Sequence, residues 1–273
     1  MLAQQRQAAI LDRVRTTGGV RVTELAAEFG VSDMTIRRDL EVLHERGLLA
    51  KVHGGATAAG PGSTDEPGFR AKSVRQSAEK AAIAGRAAEL VRPGAAIALS
   101  AGTTTAELAR RLVDVPGLTV VTNSLPVAEI LHAGGRSDQT VVLTGGVRTP
   151  SDALVGPLAV AAIRALHLDL LFLGVHGITE RAGFTTPNLT EAETNRALVA
   201  AADRLVVLAD HTKWGTVGIS SIVELSAAHV LVTDDRLPPD ARRVLDDRVG
   251  ELVVVPATGT HRAATTTGEE TTK

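Results

Sequence analysis

The sequence predicts an α/β protein in two parts: an N-terminal winged helix-turn-helix and a larger C-terminal domain built on a mostly parallel sheet. Three observations predict it. Seven short apolar runs, at 95–99, 120–121, 141–143, 170–173, 205–208, 230–232 and 252–255, alternate with helical stretches, the pattern of buried parallel strands covered on both faces. Ahead of them, residues 58–69 are rich in Ala, Gly, Pro, Ser and acidic side chains with no apolar period, which reads as a flexible linker. Ahead of the linker stands a sharply marked helix start at Val31-Ser32-Asp33-Met34-Thr35, backed by the glycine pair Gly54-Gly55. The boundaries that follow are 1–57 for the small domain, 58–69 for the linker, 70–256 for the large domain and 257–273 for a Thr, Gly and Glu tail expected to be disordered.

Within the small domain, Ile10, Leu11 and Val14 form one helical stripe from Gln4 to Thr17, and Gly18-Gly19 ends it. Val20-Arg21-Val22 is short and β-branched, and Thr23 is expected to cap a second helix that stops at Gly30. Ser32 can cap the third helix, with Val31 packing on Ile36 as a hydrophobic staple. Ile36, Leu40 and Leu43 must then point inward, which turns Thr35, Arg37 and Arg38 outward. That helix ends at Gly47. Leu48 to Val52 reads as a strand able to pair with Val20 to Val22, and Gly54-Gly55 as the tip of a wing.

This geometry puts the third helix into a DNA major groove, N-terminus first. Arg38 is the first choice for a guanine edge or a phosphate, with Arg37 beside it. Ser32, Asp33 and Thr35 lie at the helix start, where backbone amides favour a phosphate oxygen. Lys51, His53 and Gly54 would lie along the DNA backbone. A solvated helix face, with Arg37 paired to Glu41, is the plainer reading of the two arginines alone. The cap, the preceding short helix and the wing all serve one docking geometry and favour duplex binding.

Composition narrows the classes. With 44% hydrophobic residues in 273, a packed core is available. The chain has no cysteine, which excludes disulfides, thiolate nucleophiles and cysteine zinc sites, and its eight histidines include no HxxxH pair. No metal or cofactor is expected. Net charge is −2, so DNA binding must rest on local geometry, and 2% aromatics are too few for single-strand stacking platforms. No apolar run approaches the ~20 residues that span a bilayer, and the N-terminus lacks a signal-like apolar core, so a cytoplasmic protein without membrane contact is expected.

Ligands in parallel sheets bind beyond the carboxyl ends of the strands. There the sequence is polar and glycine-rich: Ser100-Ala101-Gly102-Thr103-Thr104-Thr105, Thr122-Asn123-Ser124, Gly145-Gly146, Gly174 to Gly177, and Asp210-His211-Thr212-Lys213. The loop from Ser100 to Thr105 opens a helix and offers amides and hydroxyls to a phosphate. Lys213 supplies a point charge. Each piece alone is ordinary turn and cap chemistry; five together point to a site for an anionic small molecule.

The series Thr23-Glu24-Leu25-Ala26, Val31-Ser32, Thr35 to Leu40, Gly47 and His53-Gly54-Gly55-Ala56 resembles the signature of DeoR-type bacterial transcription regulators. The resemblance continues from about Lys80 to Val255 through Gly102-Thr103-Thr104, Thr122-Asn123, Gly145-Gly146, Gly174 with Gly177, and Leu208-Ala209-Asp210 through Lys213. It implies a sensor domain similar in fold to ribose-5-phosphate isomerase and CoA-transferase-like proteins. It also implies operator binding, usually as a repressor of sugar-metabolism genes, released by a phosphorylated sugar. By similarity, Gly102 to Thr105 and Lys213 would hold the effector's phosphate, with Asn123, Asp210 and Glu191 or Glu193 near its sugar. Family members commonly carry Asp then Ser or Ala before Gly-Thr-Thr, whereas this chain has Ser100 and Ala101, so one carboxylate for a sugar hydroxyl is missing. Asn195 stands where a lysine is frequent.

The leading expectation is therefore a ligand-controlled repressor acting as a homo-oligomer, a dimer or higher, on a two-fold operator. The rival is a sugar-phosphate isomerase-like enzyme with an appended DNA-binding domain, which would need a general base among Glu191, Glu193, Asp169 and Asp210. A ligand-independent architectural DNA binder leaves the large domain without a purpose.

Overall fold

Burial of alternating apolar stripes closes the chain into two compact units, divided between residues 62 and 63. The structure, a computed structural model, describes residues 2–17, 19–45, 48–52, 54–58 and 68–257.

The first unit runs α1 (Ala3–Thr17), β1 (Gly19–Arg21), α2 (Val22–Phe29), α3 (Asp33–Glu45), β2 (Leu49–Val52) and β3 (Gly55–Ala58). Its core is a single cluster in which Ile10 and Val14 of α1 meet Leu25 of α2, Ile36, Leu40 and Leu43 of α3 and Leu49 of β2. Gly30 takes φ +63 and lets α2 turn directly into α3.

Two local expectations are corrected here. Thr23 does not cap α2: it lies inside the helix, Arg21 occupies the N-cap, and no side chain caps. The amide of Val22 instead donates to the Gly54 carbonyl at 2.9 Å, so the wing itself satisfies one of the orphan donors of the helix start. Nor does the strand at Leu49 to Val52 pair with Val20. The sheet order is β1-β3-β2, with β3 in the centre. Gly54 turns the chain back at φ +80, and Gly55 can enter beside β1 because a Cβ there would stand 2.0 Å from the Val20 carbonyl oxygen. We expect Gly55→Ala to lower the unfolding free energy of the first unit by about 1–3 kcal/mol, read by thermal denaturation.

The second unit contains all seven expected strands in one parallel sheet. Its elements are α4 (Phe69–Ser73), α5 (Ser77–Ala88), β4 (Ala96–Leu99), α6 (Thr103–Leu112), β5 (Thr119–Thr122), α7 (Leu125–Gly134) and β6 (Thr140–Leu143), followed by β7 (Val147–Arg148), β8 (Leu154–Val155), α8 (Pro157–Arg164) and β9 (Leu168–Gly174). Then come β10 (Gly177–Thr179), β11 (Gly183–Thr186), α9 (Leu189–Ala200), β12 (Ala202–Leu208), β13 (Ser220–Val223), β14 (Val230–Asp234), α10 (Pro239–Arg248) and β15 (Leu252–Val255). The sheet order is β15-β14-β12-β9-β4-β5-β6. Two separate clusters line the two faces, one with Ile83, Leu108 and Phe172, the other with Ile163, Leu198 and Leu245.

Three expectations shift. The helical pattern expected from Arg70 to Val91 is two helices, because Gln76 adopts φ +47 and breaks it between α4 and α5. A small antiparallel sheet, β10-β11-β13, and the pair β7-β8 had no counterpart in the apolar pattern. Ala257, expected to begin the tail, is buried, and its amide donates to Asp235 Oδ1 at 3.3 Å. The remainder of that expected tail, 258–273, lies outside the described residues.

Candidate functional site

The first unit presents its candidate surface through one buried anchor. Asp39 is 4% exposed, accepts from Arg6 Nε at 2.6 Å and Gln7 Nε2 at 3.0 Å, and so locks α3 to α1. Its two predecessors on α3 then point away from the core. Arg37 and Arg38 are exposed, and neither has an ion-pair partner among the described residues. Ser32 Oγ accepts from the Thr35 amide at 3.3 Å and hydrogen-bonds Thr35 Oγ1 at 2.9 Å, so the expected cap forms. Val31 packs against the cluster that contains Ile36. Asp33 is exposed at the first position of α3.

Composition hid one more surface group: Met34, 74% exposed at the same helix start, offers an apolar contact of the kind a thymine methyl takes. Lys51 lies on β2 and Gly54 at the exposed turn of the wing. His53 lies outside the described residues.

In the second unit, strand register assembles the loops. Leu99 pairs with Phe172, and Leu208 with Gly174, so the segments that follow β4, β9 and β12 lie side by side at the carboxyl edge. Gly102 and Gly174 pack closely enough that a Cβ on either would stand 3.8 Å from the other's Cα. No side chain caps the first turn of α6, which leaves that helix start free to meet an anion. Thr103 is half-buried and Thr104 buried there.

Several expected ligand groups are committed to the protein itself. Ser100 Oγ accepts from the Gly174 amide at 2.9 Å, and Thr105 Oγ1 donates to the Ser100 carbonyl at 2.7 Å. Asn123 is 1% exposed, accepts from the Ala101 amide at 2.9 Å and donates to the Leu154 carbonyl at 3.2 Å. These three side chains brace the loops. Gly145 and Gly146 have φ +72 and +122, and a Cβ on Gly146 would stand 2.5 Å from the Val155 carbonyl oxygen, so close backbone approach accounts for that glycine.

Asp210, 2% exposed, holds the Thr212 amide at 3.0 Å and the Thr212 hydroxyl on Oδ1, while its buried Oδ2 has no hydrogen-bond partner among the described residues. A buried carboxylate oxygen left open in this way suits a hydroxyl donor. Lys213 is half-buried on the 3-10 turn His211–Lys213 that follows.

The sequence reading missed the lysines that complete this cluster. Lys80, buried near the start of α5, feels Asp210, Lys213, Lys72 and Arg75. Burial lowers its pKa to about 8, an effect that nearby Asp210 opposes and the neighbouring cations reinforce. Lys72 Nζ donates to Ser151 Oγ at 2.8 Å. Nothing in the local sequence set these lysines apart from others in helical stretches.

Glu191 joins by relay. Its carboxylate accepts from Thr149 Oγ1 at 2.7 Å and Thr186 Oγ1 at 3.2 Å, and Thr149 Oγ1 accepts from the amide of Ser151 at 3.3 Å. Glu193, two positions on along α9, is exposed and turned to another side of the helix, outside the cluster. Asn195 is buried on α9. Asp169 binds the Ala96 amide at 2.8 Å at the opposite, amino edge of the sheet. A separate hollow of about 600 Å³, lined by Arg181, Arg196, Glu224 and Arg248 among others, contains none of the expected residues. Among the described residues there is no group of three acidic or histidine side chains able to hold a metal and no helix long and apolar enough to cross a membrane.

Because a phosphate monoester is largely dianionic above its second pKa of about 6, the pH dependence of its binding above about pH 7 reports the protein. Lys80 is charged below about pH 8 and neutral above it. Phosphate affinity is therefore expected to be greatest below that pH and to fall roughly tenfold as pH rises through it, the worth of one charge-assisted bond. Calorimetric titration across pH checks this.

A winged helix-turn-helix followed by an α/β unit with a lysine cluster beside Asp210 fits the class of ligand-responsive DNA-binding regulators. The comparisons make the assignment specific. Residues 6–61 match the DeoR-like helix-turn-helix domain and residues 75–235 the DeoR C terminal sensor domain. The chain is 36% identical to the HTH-type transcriptional regulator GlpR of Haloferax volcanii, covering 90% of this chain and 95% of that one. It is 31% identical to the glycerol-3-phosphate regulon repressor of Escherichia coli K12, covering 90% and 97%. This chain belongs to the DeoR family of transcriptional regulators. Among solved structures, a ribose 5-phosphate isomerase from Methanocaldococcus jannaschii overlaps 50% of this chain and 53% of its own, at 17% identity and a TM-score of 0.36.

Proposed function

We propose that this protein is a cytoplasmic repressor of carbohydrate-metabolism genes whose hold on operator DNA is released by a sugar phosphate. The observation that carries this reading is the cluster of Lys72, Lys213 and Asp210 about Lys80, with the buried Oδ2 of Asp210 lacking a hydrogen-bond partner among the described residues. Lysines meet a phosphate, and an unpaired carboxylate oxygen meets a sugar hydroxyl. Residues 1–57 are the DNA-binding domain, with Ser32, Thr35, Arg37 and Arg38 at the groove and Lys51, His53 and Gly54 on the wing. Residues 70–256 sense the effector, and Gly102 to Thr104 present the start of α6 to its phosphate. Two copies on a two-fold operator give half-sites spaced by whole helical turns.

No catalytic role is proposed. The relatives are named as regulators. Of the carboxylates able to act as a base, Glu191 is held by two threonines and Asp169 lies at the far edge of the sheet.

Gel shift on the DNA upstream of the protein's own coding region, with a panel of sugar phosphates and a parallel isomerase assay, tests the proposal. A shift relieved by one compound without turnover is expected. Turnover with no DNA shift would sink the repressor reading.

A further inference from the structure

Helix α4 has five residues and no buried one, too short to be stable on its own. What holds it is mainly polar. The Phe69 amide donates to the Pro150 carbonyl at 3.3 Å, and Lys72 Nζ reaches Ser151 Oγ at 2.8 Å. Phe69 adds one partial apolar contact with the core. The closest tie comes from Lys80, whose Nζ donates to the carbonyls of Lys72 and Arg75, each at 2.5 Å. Those oxygens lie at the end of α4 and in the break before α5, and the Lys72 carbonyl accepts from the Arg75 amide as well, at 3.3 Å.

An ammonium has three donors. Two are spent on these carbonyls, and the third remains for the surroundings that Lys80 shares with Asp210, Lys213, Lys72 and Arg75. We propose that Lys80 couples the pocket to α4: an anion held at the lysine cluster favours the charged ammonium, tightens its grip on the Lys72 and Arg75 carbonyls and so orders α4. Charge-assisted bonds are about twice as strong as neutral ones, so the protonation state of Lys80 sets the strength of the tie. The coupling is reciprocal, and an ordered α4 favours the anion in turn. Helix α4 is the first described element of the second unit. The inference rests on the lysine cluster being the phosphate site proposed above.

Amide hydrogen exchange of residues 69–76 in the full-length protein tests it, with inorganic phosphate as the probe. Lys80→Met is expected to speed exchange there roughly tenfold with no phosphate present. Phosphate is expected to slow exchange at 69–76 in the parent and not in Lys80→Met. Parent-like exchange in Lys80→Met overturns the coupling, as does phosphate that stabilises the parent against heat yet leaves 69–76 unchanged. Phosphate without any thermal effect overturns the pocket reading instead, and the ligand-free comparison still decides the tie. Should Lys80→Met fail to fold, the parent answers by itself. After correction for intrinsic exchange, protection of 69–76 is expected to fall as pH rises through about 8, and a flat profile overturns the proposal.

Discussion

Asp39→Ala is expected to destabilise the first unit by about 3–5 kcal/mol, because it removes one partner of a buried ion pair. Arg6 is 8% exposed and Asp39 4%, and their atoms meet at 2.6 Å. Gln7 loses its acceptor in the same change. Against the marginal stability usual for a domain of this size, a loss of this order unfolds much of the population. Circular dichroism of the full chain should show an early transition ahead of that of the second unit. A single transition at the parental temperature would mean that α3 is held to α1 by apolar contact alone. The double variant Arg6→Leu/Asp39→Leu, which removes both charges together, should recover much of the lost stability.

Arg38→Ala is expected to weaken operator binding by about 1–3 kcal/mol, roughly 10- to 100-fold, if its guanidinium reads a guanine edge. The side chain is exposed and unpaired among the described residues, so its removal costs the fold little, and any thermal stabilisation by phosphate should persist. Fluorescence anisotropy at fixed salt, on the parental operator and on single-base variants, separates two outcomes. A loss confined to certain base pairs assigns Arg38 to a base. A uniform loss with a shallower salt dependence assigns it to a phosphate. Unchanged affinity removes Arg38 from the interface.

The recognition helix was legible because its signals are local. A serine cap, a staple and apolar residues three and four apart are properties of neighbouring residues, and they were enough to place Arg37 and Arg38 outward. The seven strands were legible for a similar reason: a strand buried on both faces shows as a continuous apolar run. The Thr23 cap misled because α2 starts at Val22, ahead of Thr23, where the wing carbonyl of Gly54 receives the Val22 amide. The helix from Arg70 misled because a left-handed Gln76 leaves no mark in an otherwise good helical pattern.

The pocket divides along the same line. Polar, glycine-rich segments after the strands marked the neighbourhood. Which of their groups face a ligand was not decided there, since Ser100, Thr105 and Asn123 are consumed by bonds to backbone 22 to 74 residues away or to their own turn. Lys80 and Lys72 carry no local signature at all, as each is an ordinary lysine in a helical stretch.

What the sequence determined by itself, then, is everything that depends on period and near neighbours: two domains, a capped and outward-facing basic helix, and a parallel sheet with polar strand ends. Tertiary structure alone decided the strand order of the wing, the buried Arg6–Asp39 lock, and the gathering of Lys72, Lys80, Asp210 and Lys213. Those outcomes turn on backbone groups and charges brought together from far along the chain, where an unsatisfied donor or an unpaired buried charge is costly enough to choose between arrangements that local preference leaves equal.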